Sequence, residues 1–275
     1  MSSKHGSLII IGGHEAKQGD CPVLTEVVKH TRATRGRLVI VTVATETPEE
    51  VAAEYRAVFT KLGVPEIDVL DIRTRDQAAE ETQVQRLADA PVIFFTGGDQ
   101  LRITSQIGDS LLFRRMRDIY EQGGTIVGTS AGAAAMPETM LIGGAGDESH
   151  QISALSMAPG LGFISGVVID SHFAERGRIG RLLGAVVQNP RNLGLGIDED
   201  TAIIVQQETV FQVIGSGAMY VLNGAGISYS SLSEETPEGV VSMDDVTMHV
   251  LGAFDRFDLR TRRPLRREQE RAAGA

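Results

Sequence analysis

The sequence predicts an α/β fold: a mostly parallel sheet flanked by helices, with a more antiparallel C-terminal extension. Three observations carry this. Short, nearly uninterrupted β-branched runs alternate with longer amphipathic stretches through the first half of the chain, the pattern of parallel strands covered on both faces. Glycine-marked turns close several of those runs. Beyond about residue 195 the amphipathic stretches give way to strand-like runs separated by turn signals.

In order along the chain, "SLIII" (7–11), "RLVIVTVA" (37–44), "EIDVLDI" (66–72), "PVIFFTGG" (91–98) and "TIVG" (125–128) read as buried strands, each ended by glycine or polar residues. The segment "DCPVL" reads as a helix start with Pro22 in its first turn, which makes Cys21 a packing residue. In 48–62, Val51, Tyr55, Val58, Phe59 and Leu62 fall on one helical face behind Pro48. "GVVID" leads into "SHFAERGRIGRLL", a strand giving way to a helix. "TAIIVQQETVFQVIGSGAMYVLNG" and "GVVSMDDVTMHVLGAF" then supply the antiparallel part. No repeat or low-complexity linker interrupts the chain, so 1–275 reads as a single domain, with the arginine-rich 256–275 as a surface tail.

Composition narrows the function. With 42% hydrophobic and 23% charged residues the chain is ordinary for a globular protein, and no apolar run approaches the roughly 20 residues needed to span a bilayer. The apolar run near the N-terminus is too short for a secretory signal core, so a cytoplasmic location is expected. One cysteine excludes an internal disulfide. A formal charge of -10 argues against a nucleic-acid partner, because phosphate binding requires a basic face.

In a parallel sheet, ligands gather beyond the carboxyl ends of the strands. Gly12-Gly13, Gly97-Gly98 and Gly128-Thr129-Ser130 all stand at such ends and should share one rim. Gly128-Thr129-Ser130-Ala131-Gly132 fits the nucleophile-elbow pattern G-x-S-x-G, in which small neighbours let a strained turn present a serine Oγ. Read without further context, the same turn also suits close helix packing or a phosphate loop. Neither a G-x-x-x-x-G-K-[ST] nor a G-x-G-x-x-G motif is present. A serine nucleophile needs a base, and the base an orienting acid. Of six histidines, His172 stands where a strand yields to a helix on the expected rim, whereas His30 reads as a surface residue. For the acid, Asp147 and Glu148 in "GGAGDESH" compete with Asp170, which alternation places on the same face as His172. His14 beside Glu15 is too little for a metal site, and neither metal nor cofactor is expected.

Six blocks in fixed order, "LIIIGGHE", "FFTGGDQLRI", "GTSAGAAAM", "MAPGLGF", "VVIDSHFAERGRIGRLL" and "GLGIDEDTAI", resemble the cyanophycinases, in the serine peptidase family that also contains the aspartyl dipeptidases. The resemblance covers about residues 7–255. It implies a fold similar to class I glutamine amidotransferase domains. It also implies a serine-type exopeptidase that releases β-aspartyl-arginine dipeptides from cyanophycin, a poly-aspartate backbone with arginine on each β-carboxyl. Carried over by position, Ser130 becomes the nucleophile, His172 the general base and Glu148 the orienting acid, with the amides of Gly98 and Ala131 as oxyanion donors. Gln100, Thr129, Asp170, Arg176, Arg178 and Arg181 match positions that contact substrate or shape its pocket. Ser171 departs from the family pattern, where glutamine is expected, and leaves more room beside His172. The alternatives are a related peptidase acting on small aspartyl dipeptides or isopeptides, and a non-catalytic binding protein on the same scaffold. Family members commonly form homodimers, and a homodimer is expected here.

Overall fold

The computed structural model describes residues 5–32, 36–142, 155–206, 209–234 and 240–265. The chain runs β1 (Ser7–Ile11), α1 (Pro22–Arg32), β2 (Arg37–Val41), α2 (Pro48–Lys61), β3 (Glu66–Leu70), α3 (Glu81–Gln85), β4 (Val92–Phe95), α4 (Gln100–Ile107), α5 (Leu111–Glu121), β5 (Thr125–Thr129) and α6 (Ala131–Ala134). It continues through β6 (Thr139–Leu141), β7 (Met157–Pro159), β8 (Val167–Ser171), α7 (Ile179–Gln188), β9 (Leu193–Ile197), β10 (Thr201–Gln206), β11 (Val210–Gly215) and β12 (Met219–Asn223). The last strands are β13 (Tyr229–Ser230), β14 (Met243–Asp244), β15 (Thr247–Leu251), β16 (Arg256–Asp258) and β17 (Arg263–Leu265).

The main sheet has the order β17-β16-β11-β10-β1-β5-β4-β2-β3. From β1 outward through β5, β4, β2 and β3 every pairing is parallel, and from β10 onward every pairing is antiparallel. Side-chain alternation explains why the parallel strands read as unbroken apolar runs. Ile9, Ile11, Leu38, Ile40 and Phe94 pack on one face with Val27, Val28 and Phe59 of α1 and α2. Leu8, Ile10, Val39, Val41 and Phe95 pack on the other with Ile103, Met116 and Ile119 of α4 and α5. Both faces are dry, so neither register position can be polar.

Three features depart from the expectation. The strand that leads into His172, β8, belongs to a second, four-stranded sheet of order β15-β12-β9-β8 rather than to the main one. The described part of the expected tail, 256–265, forms the two outermost strands at one end of the main sheet, because Phe257 pairs with Phe211 across the ladder and is fully buried, the rings 5.5 Å apart. A single apolar residue among arginines suffices when alternation turns it inward. His30 is half-buried rather than exposed, its Nδ1 2.9 Å from Thr125 Oγ1, and Cys21 is buried at the head of α1.

Candidate active site

The end of β1 holds the site together through its backbone. The Ser130 amide donates to the Ile11 carbonyl at 3.0 Å, the His172 amide to the Gly12 carbonyl at 2.8 Å, and the Asp200 amide to the Gly13 carbonyl at 2.9 Å. Three segments remote in sequence therefore hang from three consecutive carbonyls. His14, Ser130, His172 and Asp200 all have positive φ, between 44° and 53°. Non-glycine residues in that region cost on the order of 1–3 kcal/mol each and persist where surrounding structure imposes them.

The elbow geometry accounts for its glycines. At Gly128 a Cβ would lie 2.4 Å from the Gly132 carbonyl carbon, and at Gly132 a Cβ would lie 2.6 Å from the Phe95 carbonyl oxygen. Only bare backbone lets β5 turn into α6 against β4 at this distance. Ala131 opens α6, where a first-turn N–H has no intrahelical acceptor and is available to a ligand. Beneath the turn, Thr129 Oγ1 donates to the buried Glu15 at 2.7 Å, and the Tyr55 hydroxyl donates to the other oxygen of the same carboxyl at 2.5 Å. Burial, followed by the Glu15 charge, pushes the Tyr55 hydroxyl well above its ordinary pKa and keeps it protonated as a donor.

Ser130 Oγ lies 2.8 Å from His172 Nε2, and His172 Nδ1 lies 2.7 Å from Glu199 Oε1. The same Glu199 oxygen lies 2.8 Å from His14 Nδ1. For Glu199, the upward push of partial burial is outweighed by the hydrogen bonds from His172 and His14, and the carboxyl is held below its ordinary pKa. His172 is lowered chiefly by burial, with Glu199 pulling upward and the Arg176 charge adding to the decrease. Neutral imidazole facing a serine hydroxyl, with ionised carboxylate behind it, is the arrangement of an activated nucleophile.

Sequence reasoning placed the acid at Glu148, which lies outside the described residues. The carboxylate that meets His172 is Glu199, and a signal for it exists in "GIDED". β8 and β9 are parallel and pair Ser171 with Ile197, so His172 and the acids after Ile197 leave the sheet side by side. Asp198 accepts from the Ala174 and Ala218 amides, and Asp200 from the Ala16 amide and Ser216 hydroxyl. The intervening Glu199 meets the imidazole. His14 and Glu15, weighed in the sequence only as a metal pair and set aside, instead contact Glu199 and Thr129 respectively.

Asp170, the rival acid, is buried and paired instead with Arg178 at 3.1 Å and with Arg181 through Nε at 2.9 Å. Burial lowers the Arg178 pKa, Asp170 opposes it, and the Arg181 and Arg176 charges add to the decrease. Gln100 Nε2 donates to the Leu141 carbonyl at 2.7 Å. Gly98, Gln100, Ser130, Ala131, Asp170, Ser171, Arg176, Arg178 and Arg181 line a single small cavity. Thr129 does not line it, because its hydroxyl is turned under the elbow toward Glu15. Among the described residues, His14, His172 and Glu199 form the one group of ligand-type side chains that could hold a metal.

Comparison with known proteins places this geometry in context. The pattern of the family described as Peptidase family S51 matches residues 8–213. A cyanophycinase of Geminocystis herdmanii is 34% identical over 260 residues, covering 94% of this chain and 96% of its own. Cyanophycinases of Trichormus variabilis and Synechococcus elongatus are 33% and 31% identical, covering 92% and 94% of this chain and 85% and 81% of theirs. The crystal structure of a peptidase from an acI-B1 Actinobacterium superposes with a TM-score of 0.70 at 20% identity, over 94% of this chain and 98% of that one. At that identity the likeness speaks for the fold.

Proposed function

Because the chain belongs to peptidase family S51, we propose that it is a serine-type exopeptidase that hydrolyses cyanophycin to β-aspartyl-arginine dipeptides. The observation that carries this reading is the hydrogen-bonded line Ser130–His172–Glu199 opening onto an arginine-lined cavity. Curated relatives named cyanophycinase, matched over nearly the whole chain, support the substrate.

In this mechanism Ser130 Oγ attacks the scissile carbonyl while its proton passes to His172 Nε2. Glu199 holds the imidazole in the tautomer that presents a bare Nε2 and stabilises the imidazolium that forms. The amides of Gly98 and Ala131 take the developing oxyanion, and His172 then returns its proton to the departing amine. Water, deprotonated by the same nitrogen, hydrolyses the acyl-enzyme. Three guanidiniums face one carboxylate in the cavity, a balance that favours anionic substrate groups. Asp170 is engaged with Arg178 and Arg181, so its role in the reading is to hold the arginines that grip substrate carboxylates, instead of binding a substrate guanidinium itself. Each cyanophycin unit offers such carboxylates, which suits recognition of a chain end.

Incubation with purified cyanophycin should release soluble β-aspartyl-arginine, identified by mass spectrometry. Ser171 favours the second reading, a peptidase for small aspartyl isopeptides, since a short side chain lines the cavity where the resemblance leads to an expected glutamine. Efficient isopeptide cleavage with the polymer left intact would select that reading. A cytoplasmic homodimer belongs to the proposal as well. The edge strand β15 supports the dimer, exposing Met248 and Val250 on one face. Among the described residues no helix is long and apolar enough to cross a membrane.

Activity should follow the neutral form of His172. Since burial lowers its pKa, kcat/KM should hold steady on acidification to below the ordinary histidine value of about 6.5 and fall only there. An acid limb in the kcat/KM profile centred above neutrality would contradict the assigned base.

A further inference from the structure

Folding brings His14, His172 and Glu199 together so that one ligand atom from each lies within 4.8 Å of the others. We propose that this trio binds a divalent transition-metal cation of the zinc type, and that its binding inhibits the peptidase. The binding half stands on the geometry alone. The inhibitory half rests on the proposed role of His172 as general base.

Two imidazoles and a carboxylate are donors that favour zinc-like cations over magnesium or calcium, which prefer all-oxygen sets. With metal–ligand bonds of about 2.0–2.2 Å, a tetrahedral ion holds its ligand atoms roughly 3.3 Å apart. The two Nδ1 atoms now stand 2.7 and 2.8 Å from Glu199 Oε1, so a small opening admits an ion where hydrogen bonds now run. Exposure is distributed suitably for that. The His172 side chain is 4% exposed and hydrogen-bonded at both ring nitrogens, whereas Glu199 is 26% and His14 71% exposed, leaving one face of the trio open to solvent. The His14 and His172 rings meet edge to face, 5.1 Å between centroids, which keeps both nitrogens aimed at the shared oxygen. Glu175, accepting from the Glu199 amide at 3.2 Å, adds a nearby negative charge.

Occupation would stop the chemistry through the imidazole tautomer. Metal on Nδ1 takes the lone pair there, and the single ring proton moves to Nε2. The nitrogen facing Ser130 then donates instead of accepting and cannot take the serine proton. No covalent bond to substrate is made or broken, and chelation restores the bare Nε2.

The test has two arms. Zinc chloride is titrated calorimetrically into the full chain carrying Ser130→Ala, with and without His14→Ala, and magnesium chloride serves as control. One zinc per chain is expected, magnesium should not bind, and loss of the His14 ligand should weaken zinc by at least about tenfold, as loss of groups that only support a metal ligand already does. Equal affinity in both variants overturns the site. In the second arm, cyanophycin hydrolysis by chains retaining Ser130 is measured against zinc, each variant normalised to its own zinc-free rate. Inhibition reversed by EDTA is expected, with the half-inhibitory concentration raised by the same factor in His14→Ala. Zinc that binds without slowing hydrolysis overturns the inhibitory half. A chain inactive in EDTA brings down the peptidase reading instead, and leaves the calorimetric result standing.

Discussion

Replacing Ser130 by alanine is expected to lower kcat on cyanophycin by about 10³-fold or more, in line with triad deletions in other serine peptidases. The substitution removes one oxygen and leaves the Cβ on the elbow, so the main-chain bond to Ile11 and the His172–Glu199 pair survive. Binding and oxyanion donors remain, which is why KM should change little while covalent catalysis is lost. Circular dichroism and the unfolding midpoint should match wild type, and a fluorophosphonate probe should label wild type alone. Turnover within tenfold of wild type would exclude Ser130 as the nucleophile.

Glu199→Gln should be nearly as damaging, at about 10³- to 10⁴-fold in kcat. The neutral amide cannot stabilise imidazolium. If its NH₂ turns toward Nδ1, it also imposes the tautomer whose proton faces Ser130. His14 contacts the same oxygen but carries no negative charge of its own, so it cannot compensate for the one lost. Asp170→Asn should act mainly on KM, by loosening Arg178 and Arg181. The decisive comparison is steady-state kinetics of Glu199→Gln beside Glu148→Gln. A crippled Glu148 variant with a nearly normal Glu199 variant would transfer the orienting role to Glu148.

The parallel half of the sheet was legible because each strand is buried on both faces, leaving β1, β2 and β4 as uninterrupted apolar words between glycines. The helix at Pro48–Lys61 was legible through one apolar stripe, and the serine elbow through glycines that leave no room for side chains. Glu199 was harder. Its partnership with His172 spans 27 residues and depends on β8 and β9 ending together in a sheet that the apolar pattern did not separate from the main one. The resemblance pointed elsewhere, since carried over by position it set the orienting role on Glu148. Arg178 and Arg181 were found by motif, but their capture of Asp170 is a tertiary ion pairing that no local spacing announces. Phe257 was concealed by arginine-rich surroundings that read as solvated.

The three carbonyls at the end of β1 give the molecule two tiers of durability. β1 sits between β5 and β10 in the middle of the main sheet, among the backbone that opens last. The proposed reacting groups hang from that anchor, while Arg176, on the cavity wall proposed to grip the substrate, comes from the exposed turns 174–177 ahead of α7. Warming or mild denaturant should therefore erode discrimination before it erodes reactivity. A partly loosened molecule would still acylate with a small, undemanding ester after it had ceased to hold its polymer.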